Sequence, residues 1–349
     1  MKLLVCALET SSNIHLKELV KHLNNDIELM GIFDKNLGDS KYDISSLAIM
    51  GFLDVIKKIP FFLKLSNEIV GLASKADKIL LMDASGFNLH LAKKIKNKYP
   101  NKEIIYYILP QAWAWKQKRI LRIEKYCDTL LSILPFETTF YSKKANIQYV
   151  GHPLLDEIKT CKNKVSHSNK IAFMPGSRKG EIKQLMPIFI QVARKIDKEP
   201  ILVIPPNFTQ SYVSKIYGDT SLFIISRDAH KTLNEVDFAF ICSGTATLEA
   251  SIIGTPLILS YIAKPLDYLI GRYFVKLKHI GLANIFFEYI DKTTIHPEFF
   301  QKDVTAHNLI TTYNCINNNK FLENSKTLRD YLQCGSSKKV ASIINSSSI

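Results

Sequence analysis

Short apolar runs alternate with amphipathic stretches along most of the chain, and the alternation restarts after a single polar break. Leu3 to Leu8 is apolar, a helical pattern follows from about Ile14 to Leu23, and further strand-like runs lie at Ile27 to Phe33, Lys78 to Met82 and Glu103 to Ile108. Strand, helix, strand in this order predicts a parallel sheet covered on both faces. Cys161 to Lys170 (CKNKVSHSNK) is polar and aperiodic and reads as a linker. Beyond it, Ile171 to Met174, Ile201 to Ile204, Leu222 to Ile225, Phe238 to Cys242 and Leu257 to Tyr261 predict five more strands, with helices near Gly180 to Ile196 and Thr245 to Ile253. The expected fold is therefore α/β, with two Rossmann-like domains, 1–160 and 161–349, the second ending in a helical tail from Pro297. Two such units joined by a linker are expected to enclose a cleft between the carboxyl ends of their sheets, where ligands of these folds bind.

At 349 residues the chain is long enough for two cores. A formal charge of +14 calls for an anionic partner: nucleic acid, a lipid surface or a phosphorylated substrate. The six cysteines show no CxxC spacing and no pairing with histidines, so neither a zinc site nor a disulfide framework is expected; Cys6 and Cys242 read as core thiols. MKLLVCALE is too short an apolar start for a signal peptide, and no run reaches a membrane span. The expected location is cytoplasmic, with attachment to a membrane face left open.

The stretch ICSGTATLE, Ile241 to Glu249, turns from a buried strand through Ser243, Gly244 and Thr245 into a helix. Unpaired N–H groups at such a helix start suit an anion. Glu249, one turn deeper on the face of Thr245, suits the hydroxyls of a ribose; alternatively Ser243 is an N-cap and Glu249 a solvated acid. FMPGSRKGE, Phe173 to Glu181, repeats the strand–turn–helix with Ser177 and Arg178 in the turn. A guanidinium beside a helix N-terminus suits a diphosphate, and Glu181 can fix it in place. Neither turn is a GxGxxG or a P-loop. In LLMDASGFN, Asp83 ends a strand and is placed to be a general base or a helix cap. Glu9 in ALETSSN holds the equivalent end of the first strand, with Ser11 or Asn13 as caps.

Two further stretches join aromatic or aliphatic groups to base. ILPQAWAWKQKR carries Gln111, Trp113, Trp115, Lys116, Lys118 and Arg119, where base stacking competes with core packing. AIMGFLDVIKKIPFFLKL carries Met50, Phe52, Phe61 and Phe62 among Lys57, Lys58 and Lys64, a pattern for the surface of an anionic bilayer or for a helix folded on its own core.

Taken together, LVCALE, MGF, DASGFN, LPQAWAWKQKR, LPFE, VGHPLLD, PGSRKGEI, CSGTATLE and GLANIF resemble the lipid-A-disaccharide synthase family, the inverting glycosyltransferases of lipopolysaccharide synthesis, over most of the chain. The resemblance implies the glycosyltransferase-B architecture with the nucleotide on the second domain. It implies a reaction that joins UDP-2,3-diacylglucosamine to 2,3-diacylglucosamine 1-phosphate, forming a β-1,6-linked disaccharide and UDP. Carried over by motif, Asp83 is the base, and Arg178 offsets charge on the departing UDP. Ser177, Glu181, Ser243, Gly244, Thr245, Glu249, Asn284 and Gln301 hold the donor, while Glu9, Ser11, Asn88, Gln111 and Trp115 are expected near the acceptor. No DxD occurs, which fits a mechanism without metal or other cofactor. Acylated substrates place the enzyme at the inner face of the inner membrane, and the family implies a homodimer formed through the C-terminal part. The family's GEASGD and DAPDFN are altered here: Leu8, Ser12 and Asn13 stand in LETSSN, and Gly86 replaces the second acid of DASGFN. His152 in VGHPLLD reads as structural, with a contact to substrate as the alternative that the resemblance implies. The alternatives are another UDP-sugar enzyme of this fold, transferase or 2-epimerase, and a basic RNA-binding protein, for which no signature is present.

Overall fold

A parallel sheet covered on both faces sends alternate residues of each strand into two different cores. In the computed structural model, which describes residues 1–43, 59–114, 117–263 and 278–346, β1 (Lys2–Ala7) and β4 (Lys78–Met82) do this directly. Leu4, Cys6, Ile79 and Leu81 enter one cluster, and Leu3, Val5, Leu80 and Met82 enter the other. With β2 (Glu28–Phe33), β3 (Asp39–Asp43), β5 (Glu103–Tyr107), β6 (Thr129–Ser132) and β7 (Ile147–Tyr149) they form a seven-stranded parallel sheet in the order β3-β2-β1-β4-β5-β6-β7. The helices of this unit are α1 (Thr10–Val20), α2 (Ile59–Ala73), α3 (Ser85–Lys98), α4 (Lys118–Tyr126) and the short α5 (Leu154–Glu157).

The second sheet runs β10-β9-β8-β11-β12-β13, again all parallel: β8 (Lys170–Met174), β9 (Glu199–Val203), β10 (Ile224–Ser226), β11 (Phe238–Cys242), β12 (Leu257–Tyr261) and β13 (Glu298–Phe300). Its core is built on aromatic side chains, with the Phe173 and Phe240 rings stacked 5.3 Å apart. The helices are α6 (Lys179–Ala193), α7 (Gln210–Tyr217), α8 (Ala229–Glu235), α9 (Thr245–Ile253), α10 (Leu282–Ile290), α11 (Ala306–Cys315) and α12 (Asn318–Leu332).

The chain divides into two compact units, Met1–Glu157 with Leu332–Ile349, and Ile158–Tyr331. This corrects the expectation that the tail belongs to the second domain. α13 (Ser336–Asn345) returns to the first unit, because Val340, Ala341 and Ile344 complete the core face made by Leu3, Val5 and Leu80. Polar contacts hold it there. The Asp156 carboxylate accepts from the backbone N–H groups of Gly335 (2.6 Å) and Ser337 (2.7 Å) at its start. Buried Lys78 donates to the carbonyl of Ile344 at its end (3.2 Å), a cation on the carbonyl end of a helix. His152 is buried, burial pushes its ring down to about 3, and its backbone N–H donates to the Leu332 and Gln333 carbonyls. The tail, expected to be mostly helical, also holds a strand, β13.

The expectations placed on Met50, Phe52, Lys57, Lys58, Trp115 and Lys116 fall outside the described residues. Phe61 and Phe62, expected at a membrane, are half-buried and pack on the first unit's own core, Phe62 against Phe87 at 6.0 Å. Leu63 and Lys64 beside them are exposed. No helix among the described residues is long and apolar enough to cross a membrane.

Candidate active site

The order of a doubly wound sheet reverses at one point, and ligands bind there, beyond the carboxyl ends of the strands. The first sheet reverses between β1 and β4, the second between β8 and β11. The four motifs singled out in the sequence leave these four strands: Glu9 follows β1, Asp83 follows β4, Ser177 and Arg178 follow β8, and Ser243 to Thr245 follow β11.

In the first unit, the backbone itself aims Asp83. Asp83 (φ 48°) and Ala84 (φ 43°) are both left-handed, which costs on the order of 1–3 kcal/mol for each residue and persists only where neighbours enforce it. The neighbours are Asn88, whose amide donates to the carbonyls of Met82 and Asp83 (both 3.0 Å), and Tyr106, whose hydroxyl donates to the Asp83 carbonyl (2.7 Å). Asn88 is fully buried. It therefore shapes the Asp83 turn and does not line a substrate surface, contrary to the expectation. Asp83 is not the cap of α3 either; that position is Ala84, without a side-chain bond.

Burial raises the Asp83 carboxyl above its ordinary range, while the Ala84 N–H and the charge of His15 pull it back. Glu9, the N-cap of α1, is also raised, first by desolvation and then by the nearby charge of Asp83. Two carboxyls that feel each other at one strand-end pair disfavour double ionisation. Around Glu9, Ser12 accepts from the Glu9 N–H (3.1 Å) and Asn13 donates to the carbonyls of Ala7 and Glu9 (both 2.8 Å), so Ser12 and Asn13 knit the turn rather than present polar groups. Ser11 is half-buried in the first turn and Gln111 is exposed after β5. Trp113 is a core residue, packed edge-on to Phe136 at 4.8 Å. Arg119 donates to Ser85 (3.0 Å), which brings this guanidinium beside the Asp83 turn.

In the second unit the two turns touch. A Cβ on Gly176 (φ +96°) would stand 2.7 Å from the Glu181 carboxylate and 3.2 Å from the Cys242 sulfur, so only glycine allows this approach. Glu181 accepts from the Arg178 guanidinium (3.0 Å) and backbone N–H (3.3 Å), with Arg178 itself exposed. The thiol of Cys242 is pushed up to about 12, chiefly by burial. The N-cap of α9 is Gly244, not Ser243, with no side-chain cap and no acid in the first turn, and Gly244 and Thr245 are exposed. Its first N–H groups are thus open to an anion beside the Arg178 turn.

The remaining donor candidates have partners within the second unit. Glu249 pairs with His230 at 3.3 Å. Asn284 is fully buried: its amide donates to Glu298 (2.7 Å) and the His296 carbonyl (2.9 Å), and its oxygen accepts from Ile295 N–H (2.8 Å). That use differs from the expected donor contact and makes Asn284 the clasp between α10 and β13. Gln301 accepts from the Ala263 N–H (2.9 Å), tying β13 to the chain leaving β12. Among the described residues no His, Cys, Asp and Glu side chains group in threes to suit a metal ion. The His15–Glu157 contact in the first unit has no sequence signal, since the two residues stand 142 positions apart.

The profile of the lipid-A-disaccharide synthetase family matches residues 3–347. Lipid-A-disaccharide synthase of Helicobacter pylori (strain Shi470) is 48% identical over 352 residues, covering 97% of this chain and 96% of its own. That of Campylobacter jejuni (strain RM1221) is 44% identical over 364 residues, covering 98% of each. Among solved structures, a Staphylococcus aureus MnaA–UDP co-structure superposes with a TM-score of 0.63 at 16% identity, over 98% of this chain and 95% of that one. Acinetobacter baumannii MurG gives 0.58 at 12% identity, over 98% and 97%. These two share the fold of two parallel-sheet α/β domains.

Proposed function

Since the chain belongs to the lipid-A-disaccharide synthase family, glycosyltransferases of lipid A biosynthesis, we propose that its two switch points divide the work of one transfer. The first unit serves the acceptor, 2,3-diacylglucosamine 1-phosphate, and the second serves the donor, UDP-2,3-diacylglucosamine. The observation that carries this reading is the placement of the carboxylate pair Glu9 and Asp83 at one sheet reversal, and of Arg178 with the open start of α9 at the other.

In the transfer, the acceptor 6-hydroxyl oxygen attacks the anomeric carbon of the donor sugar as the bond from that carbon to UDP breaks. The hydroxyl proton passes to Asp83. Inversion at the anomeric carbon leaves the β-1,6 linkage. Negative charge grows on the UDP diphosphate, where Arg178 and the N–H groups at Gly244 and Thr245 are preorganised to meet it; loss of one such donor costs about 3 kcal/mol of transition-state stabilisation. Glu181 keeps the guanidinium in place, and Glu249 takes the ribose hydroxyls. In this reading the helix start and guanidinium do the work that a divalent cation does in other transferases, so no metal is required.

Both substrates carry acyl chains, whose removal from a bilayer costs about 0.8 kcal/mol per CH₂. We place the work at the inner face of the inner membrane, with the segment through Phe61, Phe62, Leu63 and Lys64 as the docking edge. Incubating the purified protein with radiolabelled donor and acceptor tests the reading: a labelled disaccharide 1-phosphate and stoichiometric UDP are expected. Consumption of donor without any disaccharide contradicts it.

A further inference from the structure

Three helices of the first unit lie side by side on one face of its sheet, and their outer surface takes no part in the mechanism above. α2, α3 and α4 pack in that order. They bury their inner stripes in one cluster: Leu65 and Ile69 from α2, Leu89, Ala92 and Ile95 from α3, and Ile120 and Ile123 from α4. Two direct contacts join them. Lys94 of α3 donates to Asn67 of α2 (2.8 Å), and Arg119 of α4 donates to Ser85 at the start of α3 (3.0 Å). Helical spacing turns the residues opposite the buried stripes outward. On α4 these are Lys118, Leu121, Arg122 and Lys125, all exposed. Leu121 is 70% exposed, the largest value for any bulky apolar side chain among the described residues. α3 adds exposed Lys93, and α2 adds exposed Leu63 and Lys64. The acids of these helices have other partners: α3 carries none, Glu68 of α2 accepts from Tyr42 (2.6 Å), and Glu124 of α4 accepts from the Ser142 N–H (2.7 Å).

We propose that the outer surface of α2, α3 and α4 is the face with which the enzyme lies on an anionic bilayer, with Leu121 inserted and Lys93, Arg122 and Lys125 on the headgroups. This deepens the membrane placement proposed above, rests on its acylated substrates, and extends the docking edge at Phe61 to Lys64 across two more helices. Charge complementarity and the exposed leucine choose this partner. A bilayer surface takes an apolar side chain into its acyl boundary while the cations around it stay at the headgroups. Single-stranded nucleic acid would instead ask for an aromatic platform, and the outward stripe of α4 has no aromatic side chain. The face also ends where the acceptor is needed: α3 starts at Ser85, two residues after Asp83. An acylated acceptor held in the bilayer thus meets the Asp83 turn at the edge of the docked face.

The test is sedimentation of the full-length protein with vesicles of phosphatidylcholine alone and of phosphatidylcholine mixed with phosphatidylglycerol, with melting temperatures taken in parallel. Wild type should bind the mixed vesicles more tightly, and raised salt should weaken that binding. Leu121→Ser should weaken it by about thirtyfold. Lys93→Gln, Arg122→Gln and Lys125→Gln together should weaken it by about a hundredfold, at about fivefold for each cation. Melting temperatures should not move, because all four side chains are exposed. Lys320→Gln, Lys326→Gln and Lys339→Gln together remove the same charge from exposed positions elsewhere and should change binding by no more than a few fold. Unchanged binding in either face variant overturns the proposal, and so does equal weakening by the two triple variants, which reduces the effect to net charge. Tighter binding of wild type to a single-stranded RNA than to the mixed vesicles assigns the face to nucleic acid and overturns it too. Disaccharide formation from detergent-dispersed substrates separates the two ideas, since it needs no bilayer and should be equal in wild type and the face variants. No disaccharide from any of them contradicts the transfer alone; disaccharide from all, with unaltered vesicle binding, overturns this inference alone.

Discussion

Gly176 and Cys242 lie so close that a methyl group on the glycine would press on the cysteine sulfur at 3.2 Å. The turn leaving β8 thus rests on the turn leaving β11, and the diphosphate site proposed for the donor is one surface built from both. Gly176→Ala forces a side chain into a left-handed conformation and towards the Glu181 carboxylate at 2.7 Å, at a cost of about 1–3 kcal/mol. A lower melting temperature and weaker UDP binding by calorimetry are expected together. Unchanged UDP affinity contradicts the shared surface.

Arg178 is exposed, and its guanidinium is held by Glu181. Arg178→Ala should lower kcat by about 10²–10³-fold with the fold intact, as for other preorganised charge donors. Arg178→Lys should recover only part of this, because an ammonium does not reproduce the two-pronged contact of a guanidinium. Full activity of the lysine variant in a steady-state assay would show that point charge suffices.

Glu137, from the LPFE motif, is 1% exposed; Ser132 donates to one oxygen (2.5 Å), and the other has no partner among the described residues. Burial pushes its carboxyl from 4.5 up to about 8. Between those values the folded state keeps a proton that the unfolded state has lost, so stability falls as pH rises through that window. The slope is at most about 1.4 kcal/mol per pH unit. Glu137→Gln removes the titration and should flatten the pH dependence of the urea midpoint across the window. An unaltered slope contradicts it.

Leu63 is 45% exposed beside exposed Lys64. Leu63→Ser should weaken sedimentation with anionic vesicles by about thirtyfold, since burial of one large apolar side chain contributes about 2 kcal/mol, and leave the melting temperature unchanged. Phe61→Ser with Phe62→Ser should weaken it too, but with some loss of stability, because both rings also pack on the core. Equal sedimentation of all variants contradicts the docking edge.

The long apolar strands were legible because burial on both faces leaves them almost wholly apolar: Lys78–Met82, Phe238–Cys242 and Leu257–Tyr261 fall at the positions that their composition predicts. Short edge strands were not. Asp39–Asp43 is polar, and Ile147–Tyr149 and Glu298–Phe300 have three residues each. The return of α13 was hidden for another reason: its apolar stripe does not say which of two cores it completes. At the site, the turn residues after β1, β4, β8 and β11 were readable from abrupt changes in residue type. What each side chain touches was not. Asn88 and Asn284 carry motif positions yet spend their amides inside the protein, and the His15–Glu157 pair is a product of the fold alone.

The claim on which the rest depends is that Asp83 takes the acceptor's proton. The initial rate of disaccharide formation by Asp83→Asn, with both substrates saturating, tests it most directly. A fall of about 10²–10⁴-fold, the range of a lost general base, with UDP affinity retained, is the predicted result. A rate within a few fold of wild type contradicts it.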